Sequence, residues 1–371
     1  MSIVPEGNAY VFDRAPVMLY WEITRACDLA CLHCRAEALP HRDPRELSTP
    51  EAIGFLHQIR DFDPRPPHVV ITGGDPLKRA DLFEIVNVGV RLGIHLSLAP
   101  SVTDLLTHSA LARLQQAGIA GISLSLDGST ADHHDRLRGI AGCFDRTIPL
   151  ARQAGELGLS LQINTLVSAE TLGDVPALFD AVRILPVRRW SLFFLIAVGR
   201  GRDLGGIRPA EAERLCHWLL GRARESSFAI AATEAPFYRR VAVERMRHAG
   251  MPEQTIGATP VGRAFGIRDG NGIAFVSHTG GVYPSGFLPT CAGNIRESSV
   301  VDLYRQAPLF KAIRDVAQYR GKCGFCPFVD VCGGSRARAF AHSGDYLASD
   351  PLCAYEPVRR PRIPPSERAA A

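Results

Sequence analysis

Three scarcities bound the reading before any motif is considered. Lysine is nearly missing: Lys78, Lys311 and Lys322 are the three lysines, and arginine supplies the rest of the 42 basic residues. Genomic base composition accounts for that choice. With a formal net charge of +4 and no clustered basic stripe, no nucleic-acid partner is expected. Long apolar runs are missing too. Residues 1–20 carry Pro5, Glu6, Asp13 and Pro16 where a signal peptide has its apolar core, and the most apolar stretch, Trp190–Val198, is far too short to cross a bilayer. No membrane partner is expected. The third scarcity is local. Cys27, Cys31 and Cys34 stand close together, and the next cysteine is Cys143.

The rest of the composition is that of a globular protein, 46% apolar and 22% charged over 371 residues, a length that suggests about two domains. The ten cysteines cluster in metal-like spacings, unlike the disulfide set of a short secreted chain. A reducing, cytoplasmic compartment is expected.

The stretch Thr24–Arg35 organises the remainder. Thiolates are soft ligands suited to iron–sulfur clusters and to zinc. A structural zinc site takes four protein ligands, and no fourth lies nearby. A cube of four irons held by three thiolates keeps one iron open to an outside ligand. The preceding segment, Met18–Thr24, is rich in aromatic and β-branched residues and reads as a strand. The loop therefore follows a strand end, where α/β folds place their chemistry.

The C-x3-C-x2-C spacing, with His33 before Cys34, resembles the radical S-adenosylmethionine superfamily. The resemblance implies a 4Fe-4S cluster on Cys27, Cys31 and Cys34, with S-adenosylmethionine chelated at the open iron. It further implies reductive cleavage to a 5′-deoxyadenosyl radical that removes hydrogen from a substrate, and a reductant such as flavodoxin or ferredoxin. Gly73-Gly74-Asp75-Pro76, after the second strand, is similar to the family's Gly-Gly-Glu-Pro, so Asp75 is expected to meet the cofactor's ammonium group. Read alone, the same four residues make a turn. Ser125 and Asp127, in Ser-Leu-Asp-Gly128, are candidates for the ribose hydroxyls or simply a strand ending in an Asp-Gly turn. Arg138 is the candidate for the cofactor carboxylate, and Asn164 is an unusual polar residue on a buried strand.

Strands alternate with helices along residues 18–196. Six strands are expected, near 18–24, 68–72, 95–99, 121–127, 159–167 and 190–196, with helices starting after Ser48 and near 81–92, 104–117, 145–157 and 174–184. This predicts an α/β fold, a partial (β/α)6 barrel with a small C-terminal α+β iron–sulfur domain. The expected divisions are a lead-in at 1–17, the barrel at 18–205, a helical linker at 206–272, an auxiliary domain at 273–356 and a tail at 357–371. Gly199–Gly206 reads as the best boundary. Residues 247–272 read as a lid or a link, 209–225 and about 300–316 as helices, and 273–283 as a hairpin. The hairpin and cysteine loops are expected to cap the open barrel mouth.

The C-terminal cysteines, Cys323, Cys326, Cys332 and Cys353, suffice to close a second metal centre. They resemble the SPASM or twitch auxiliary-cluster domains, with Ser285 and Arg336 where the fuller form has cysteines. One auxiliary 4Fe-4S cluster is therefore expected, with structural zinc as the alternative. Cys291 is left open as a free thiol or an extra ligand. Cys143 and Cys216 read as buried small hydrophobes, His133-His134 as a solvated loop, and His278 shows no partner. The 332–347 segment resembles haem and haem d1 biosynthesis enzymes. The 42–49 segment resembles peptide maturases. A large substrate is expected, a tetrapyrrole precursor or a peptide, with Arg336 and Arg338 as candidate carboxylate anchors or as neutralisers of an anionic cluster. A non-enzymatic redox sensor is the contrasting reading.

Overall fold

The computed structural model describes residues 12–358. In chain order the elements are β1 (Met18–Thr24), α1 (Thr49–Arg60), β2 (His68–Gly73), α2 (Leu82–Arg91), β3 (Leu96–Leu98), α3 (His108–Gln116) and β4 (Gly121–Ser125). Then come α4 (Ala131–Arg138), α5 (Cys143–Glu156), β5 (Ser160–Val167), α6 (Val175–Val182), β6 (Val187–Phe194), α7 (Pro209–Glu225), β7 (Ala229–Thr233), α8 (Phe237–His248) and α9 (Glu253–Ala258). The C-terminal part holds β8 (Arg268–Asp269), β9 (Gly272–Val276), β10 (Gly281–Tyr283), β11 (Gly293–Asn294), α10 (Val300–Gln306), α11 (Pro308–Arg314), α12 (Gly321–Gly324) and α13 (Arg336–Ser343).

One sheet runs β11-β10-β9-β1-β2-β3-β4-β5-β6-β7, with β8 beside β9. Strands β1 to β7 are parallel and in sequence order, and the sheet does not close. It is an open, partial barrel. The period-2 alternation explains its two faces. Leu19, Trp21 and Ile23 on β1, and Trp190, Leu192 and Phe194 on β6, are buried toward the helices. Their alternates, such as Tyr20, Ser191 and Phe193, face the barrel interior and line a cavity. Helix α1 shows the local logic of the outer layer. Ser48 and Glu51 form a capping box, Pro50 sits in the first turn, and Ala52, Phe55, Leu56 and Ile59 are buried. Phe55 meets Trp21 edge-on, 5.0 Å between centroids.

Several elements differ from expectation. A seventh parallel strand, β7, lies within the stretch read as a helical linker. Helix α4 replaces the expected solvated loop. Thr130 caps its start, and Gly139, at φ 68°, ends it. His134 on it is fully buried, its Nδ1 accepting from the Asp127 amide at 3.0 Å. The helix expected over 300–316 is two helices. Pro308 has no N–H to give, and Ala307 before it is extended (φ −58°, ψ 135°). Residues 253–258 and 268–269 are regular within the stretch read as a lid or link. The expected hairpin forms, but β9 also pairs parallel with β1, so the C-terminal part extends the barrel sheet. No helix of the described residues is long and apolar enough to cross a membrane.

Candidate active site

The cysteine loop leaves β1 at Thr24 and is tied at both ends. The Cys27 amide donates to Leu39 O (2.8 Å) and the Leu39 amide to Arg25 O (3.0 Å). Buried Glu46 accepts from Thr24 Oγ1 at 2.6 Å and from the Arg25 amide at 3.2 Å. Several groups point at the sulfurs. The Leu29 amide reaches Cys27 Sγ at 3.4 Å, the Ala38 amide reaches Cys34 Sγ at 3.5 Å, and Arg138 Nη1 reaches Cys31 Sγ at 3.8 Å. Ser101 Oγ lies 3.4 Å from Cys27 Sγ. Donors aimed at sulfur stabilise thiolate charge, as a cluster ligand requires.

Gly73 and Gly74 lie directly against this loop. The Gly74 amide donates to Thr24 O (2.8 Å) and the Asp75 amide to Ala26 O (2.6 Å). A Cβ on Gly74 would stand 2.6 Å from Arg25 O and closer still to Ala26 O. Only glycine permits this backbone approach. Asp75 is placed differently from expectation. It is fully buried, with Oδ2 accepting from Thr103 Oγ1 at 2.7 Å and Oδ1 from the Leu77 amide at 3.1 Å. Burial raises its pKa. Its carboxylate caps the following turn and braces the loop after β3.

Cys27, Cys31 and Cys34 share a cavity of about 240 Å³ with Gly73, Gly74, Ser125, Asp127, Arg138 and Asn164. The residues singled out in the sequence thus converge, Asp75 excepted. Arg138 pairs with Asp127 Oδ2, and Asp127 Oδ1 accepts from the Leu166 amide at 2.6 Å. Against the pull of burial, the Arg138 guanidinium holds the Asp127 carboxyl below its usual range. Asn164 Oδ1 accepts from Gln162 Nε2 at 2.7 Å. Burial lowers His33 to about 4, so its ring is neutral at pH 7. Arg138 Nε and His33 Nδ1 are buried without a hydrogen-bond partner among the described residues. Orphaned buried donors of this kind are scarce in folded proteins and suit a polar ligand.

Four contributors escaped the sequence reading. Ser101 bridges Cys27 and Gly74 O (2.8 Å). Its position just after β3 is the signal, as with the glycines after β2. Gly199 and Arg200, read as a domain boundary, hold the cysteine loop instead. The Arg200 amide donates to Cys34 O at 3.1 Å and its Nε to Cys31 O at 2.8 Å. Gly199 has φ 53°, and a Cβ there would stand 2.5 Å from Cys34 O. Arg35 donates to Glu22 Oε2 at 2.8 Å and stacks over Phe275 at 4.5 Å. His278 is not alone: its Nδ1 is 2.8 Å from Glu22 and its Nε2 3.4 Å from Asp43.

The cluster cavity adjoins a second, of about 550 Å³, that fills the barrel interior. Arg35, Thr72, Ser123, Asn164, Phe193 and Phe287 line both.

Cys323, Cys326, Cys332 and Cys353 line one small cavity near the C-terminus. The Gly334 amide donates to Cys332 Sγ at 3.3 Å, and Arg336 Nη2 reaches Cys323 Sγ at 3.8 Å. Arg336 is fully buried and also donates to Ala348 O (2.8 Å) and Tyr346 O (3.1 Å). Arg338 pairs with buried Asp350 at 3.2 Å and donates to Phe194 O at 3.3 Å. Neither arginine lines the barrel cavity, and of the pair only Arg336 reaches a cysteine sulfur. Cys291 is exposed and donates to Gly293 O, Cys216 is buried on α7, and Cys143, also buried, lines the cluster cavity. Among the described residues, no group of three or more His, Cys, Asp or Glu side chains is arranged to hold a single metal ion.

Comparison with known proteins agrees with this geometry. The family model described as the Radical SAM superfamily matches residues 21–182. An AdoMet-dependent heme synthase of Methanosarcina barkeri is 36% identical, over 94% of this chain and 99% of its own length. A PqqA peptide cyclase of Rhodopseudomonas palustris is 26% identical, over 96% of this chain and 91% of its own. Streptococcus suis SuiB, solved bound to S-adenosylmethionine, shares the fold with a TM-score of 0.71 at 19% identity, over 92% of this chain and 78% of its own. Both sequence relatives are named as enzymes, which sets the redox-sensor reading aside. With three thiols at a strand end, glycines against them and an end-to-end relative of this identity, the chain belongs to the radical SAM superfamily and is an enzyme that uses S-adenosylmethionine with a 4Fe-4S cluster.

Proposed function

We propose that this enzyme acts on a carboxylate-bearing tetrapyrrole in the formation of haem. The observation that carries the reading is that the cysteine cavity adjoins a largely apolar barrel interior that is lined by arginines. The haem synthase relative, similar over almost the whole of both chains, supports it.

Cys27, Cys31 and Cys34 hold the catalytic cluster. When bound there, the cluster supplies the electron that cleaves S-adenosylmethionine, and the resulting 5′-deoxyadenosyl radical takes hydrogen from a substrate side chain. The protein's part is positioning and exclusion of water. The backbone at Gly73 and Gly74 meets the cofactor's amino acid end, and Ser125 and Asn164 offer polar contacts beside it. Arg138, fixed by Asp127, keeps Nε for the carboxylate. Asp75 acts through the loop it braces. Cys323, Cys326, Cys332 and Cys353 hold a second, fully protein-ligated cluster, supported by Arg336. A flavodoxin or ferredoxin supplies the electrons. The clustered, metal-like spacing of the cysteines supports a reducing, cytoplasmic setting.

A peptide substrate is the second reading, favoured by the likeness to the peptide cyclase. Anaerobic incubation of the reconstituted protein with reductant, S-adenosylmethionine and iron coproporphyrin III decides between them. Formation of 5′-deoxyadenosine together with haem is expected. Cofactor cleavage with the porphyrin unaltered refutes the tetrapyrrole reading and leaves the peptide one.

A further inference from the structure

The barrel cavity has a floor, at the N-terminal ends of the strands, that nothing above uses. It is built around a β-bulge. On the β5–β6 ladder Leu161 faces Val187, but the next residue, Gln162, faces Arg189. Arg188 is therefore an extra residue on β6. Successive strand residues normally point to opposite faces. The bulge re-aims one of them, as bulges do, and both Arg188 and Arg189 line the cavity. His68 and His95, edge to face at 4.4 Å, line the same end.

The floor arginines differ from the other arginines that line the two cavities. Arg35, higher in the cavity, is paired with Glu22, and Arg138 with Asp127. The guanidinium groups of Arg188 and Arg189 make no hydrogen bond or ion pair among the described residues. The one carboxyl group on the cavity lining, Glu234, is held well above the usual carboxylate range by burial and by the neighbouring Asp269. It offers the arginines no full counter-charge. Phe193, which lines both cavities, is four residue steps along β6 from Arg189, so the floor lies about 13 Å below the cluster end.

We infer that the bulge arginines Arg188 and Arg189 form a carboxylate-binding subsite at the barrel floor. They hold the non-reacting carboxylates of the substrate while its opposite edge lies at the cysteine cavity. Guanidinium forks match carboxylates in two-point geometry. A rigid disc with carboxylates on opposite edges meets both ends at once, which a small metabolite does not. This deepens the proposed function and rests on its tetrapyrrole reading.

The test titrates the reconstituted holoenzyme, without air, with coproporphyrin III and with its neutral tetra-amide, following the porphyrin absorption band. The wild type is expected to prefer the acid. Arg188→Gln/Arg189→Gln should weaken acid binding by about tenfold or more while leaving amide binding unchanged, and Arg189→Lys should keep part of the preference. Amide binding serves as the control for folding of each variant. A double variant that retains the full acid preference, or that loses acid and amide equally, overturns the subsite and leaves the tetrapyrrole reading intact. A wild type that binds neither porphyrin overturns both.

Discussion

Replacing Gly74 by alanine tests whether the cysteine loop depends on backbone contact with the end of β2. The new methyl would stand 2.6 Å from Arg25 O and 2.7 Å from the Ala26 carbonyl carbon. These are backbone atoms, with no flexible side-chain end to swing aside. Reaching an ordinary contact near 3.5 Å requires the two segments to part by about 1 Å. That displacement strains the Asp75 amide to Ala26 O bond (2.6 Å) and the Gly74 amide to Thr24 O bond (2.8 Å). Overpacking costs about 1–3 kcal/mol and each of the two weakened buried hydrogen bonds about 1 kcal/mol, so a loss of about 3–5 kcal/mol is expected. The functional loss should be larger, because a 1 Å misplacement costs about 100-fold in a positioned reaction. Gly54→Ala on α1 is the control: nothing lies within 4 Å of its added methyl, and helix propensity makes it neutral or stabilising by up to about 1 kcal/mol. The assays are iron content after anaerobic reconstitution, thermal unfolding and 5′-deoxyadenosine formation. Gly74→Ala is expected to keep the C-terminal iron and lose most of the cleavage activity. Wild-type cleavage rates in Gly74→Ala would refute the reasoning.

Other outcomes follow from the same geometry. Triple replacement of Cys27, Cys31 and Cys34 by alanine should leave only the iron of the C-terminal site; an unchanged iron count would remove the assignment. Asp75→Asn, at a carboxylate committed to Thr103 and Leu77, should change S-adenosylmethionine affinity by less than about threefold, whereas Asp75→Ala should cost about 1–3 kcal/mol of stability; a tenfold affinity loss in Asp75→Asn would restore the direct-contact role. Arg336→Gln should release the C-terminal iron and spare the catalytic iron; full retention of both would show that the buried guanidinium does not support the cysteines. Glu51 is drawn down to about 2 by Arg296 and the Ser48 cap. A depressed carboxyl stabilises the fold above its unfolded pKa near 4.5 and loses that contribution as pH falls toward 2. At this exposed site the wild type should exceed Glu51→Gln by about 0.5 kcal/mol near pH 7, converging below pH 3 in urea titrations; a constant gap would contradict the linkage.

The parts of the molecule governed by local pattern were legible in the sequence. The Ser48 cap, the strand β1 and the placement of Gly73-Gly74 and Asp127 near strand ends follow from neighbouring residues alone. What required the fold were choices of partner. Ala229–Thr233 carries no strong alternation, and its strand exists because β6 offers a free edge. Gly199 and Arg200 look like a linker, yet their conformation is set by carbonyls of the cysteine loop far earlier in the chain. Asp75 shows the limit most clearly: its position was legible, but the direction of its carboxylate depends on Thr103, a strand away.

The same distinction explains how the C-terminal cysteines are coupled to the barrel. Helix α13 begins four residues after Cys332, and its first turn gathers acidic side chains from three places. Asp269 Oδ2 accepts from the Arg336 and Ala337 amides at 2.8 and 2.9 Å, Ser335 Oγ donates to Glu234 Oε2 at 2.5 Å, and the Ser335 amide donates to Asp350 Oδ2 at 2.9 Å. A helix N-terminus has unsatisfied amides and a partial positive charge, so it attracts these groups. Glu234 follows β7 and Asp269 ends β8, while Arg338 reaches from the same helix to Phe194 O at the end of β6. The turn beside Cys332 is thus bolted to the ends of three strands. Any shift of the C-terminal cysteines relative to the barrel must break several buried hydrogen bonds at once. Glu234 stands at φ 57°, a conformation disfavoured for a side chain of its size, and the contacts of this helix hold it there. Because Glu234 also lines the barrel cavity, the turn beside the C-terminal cysteines and the barrel cavity share one wall.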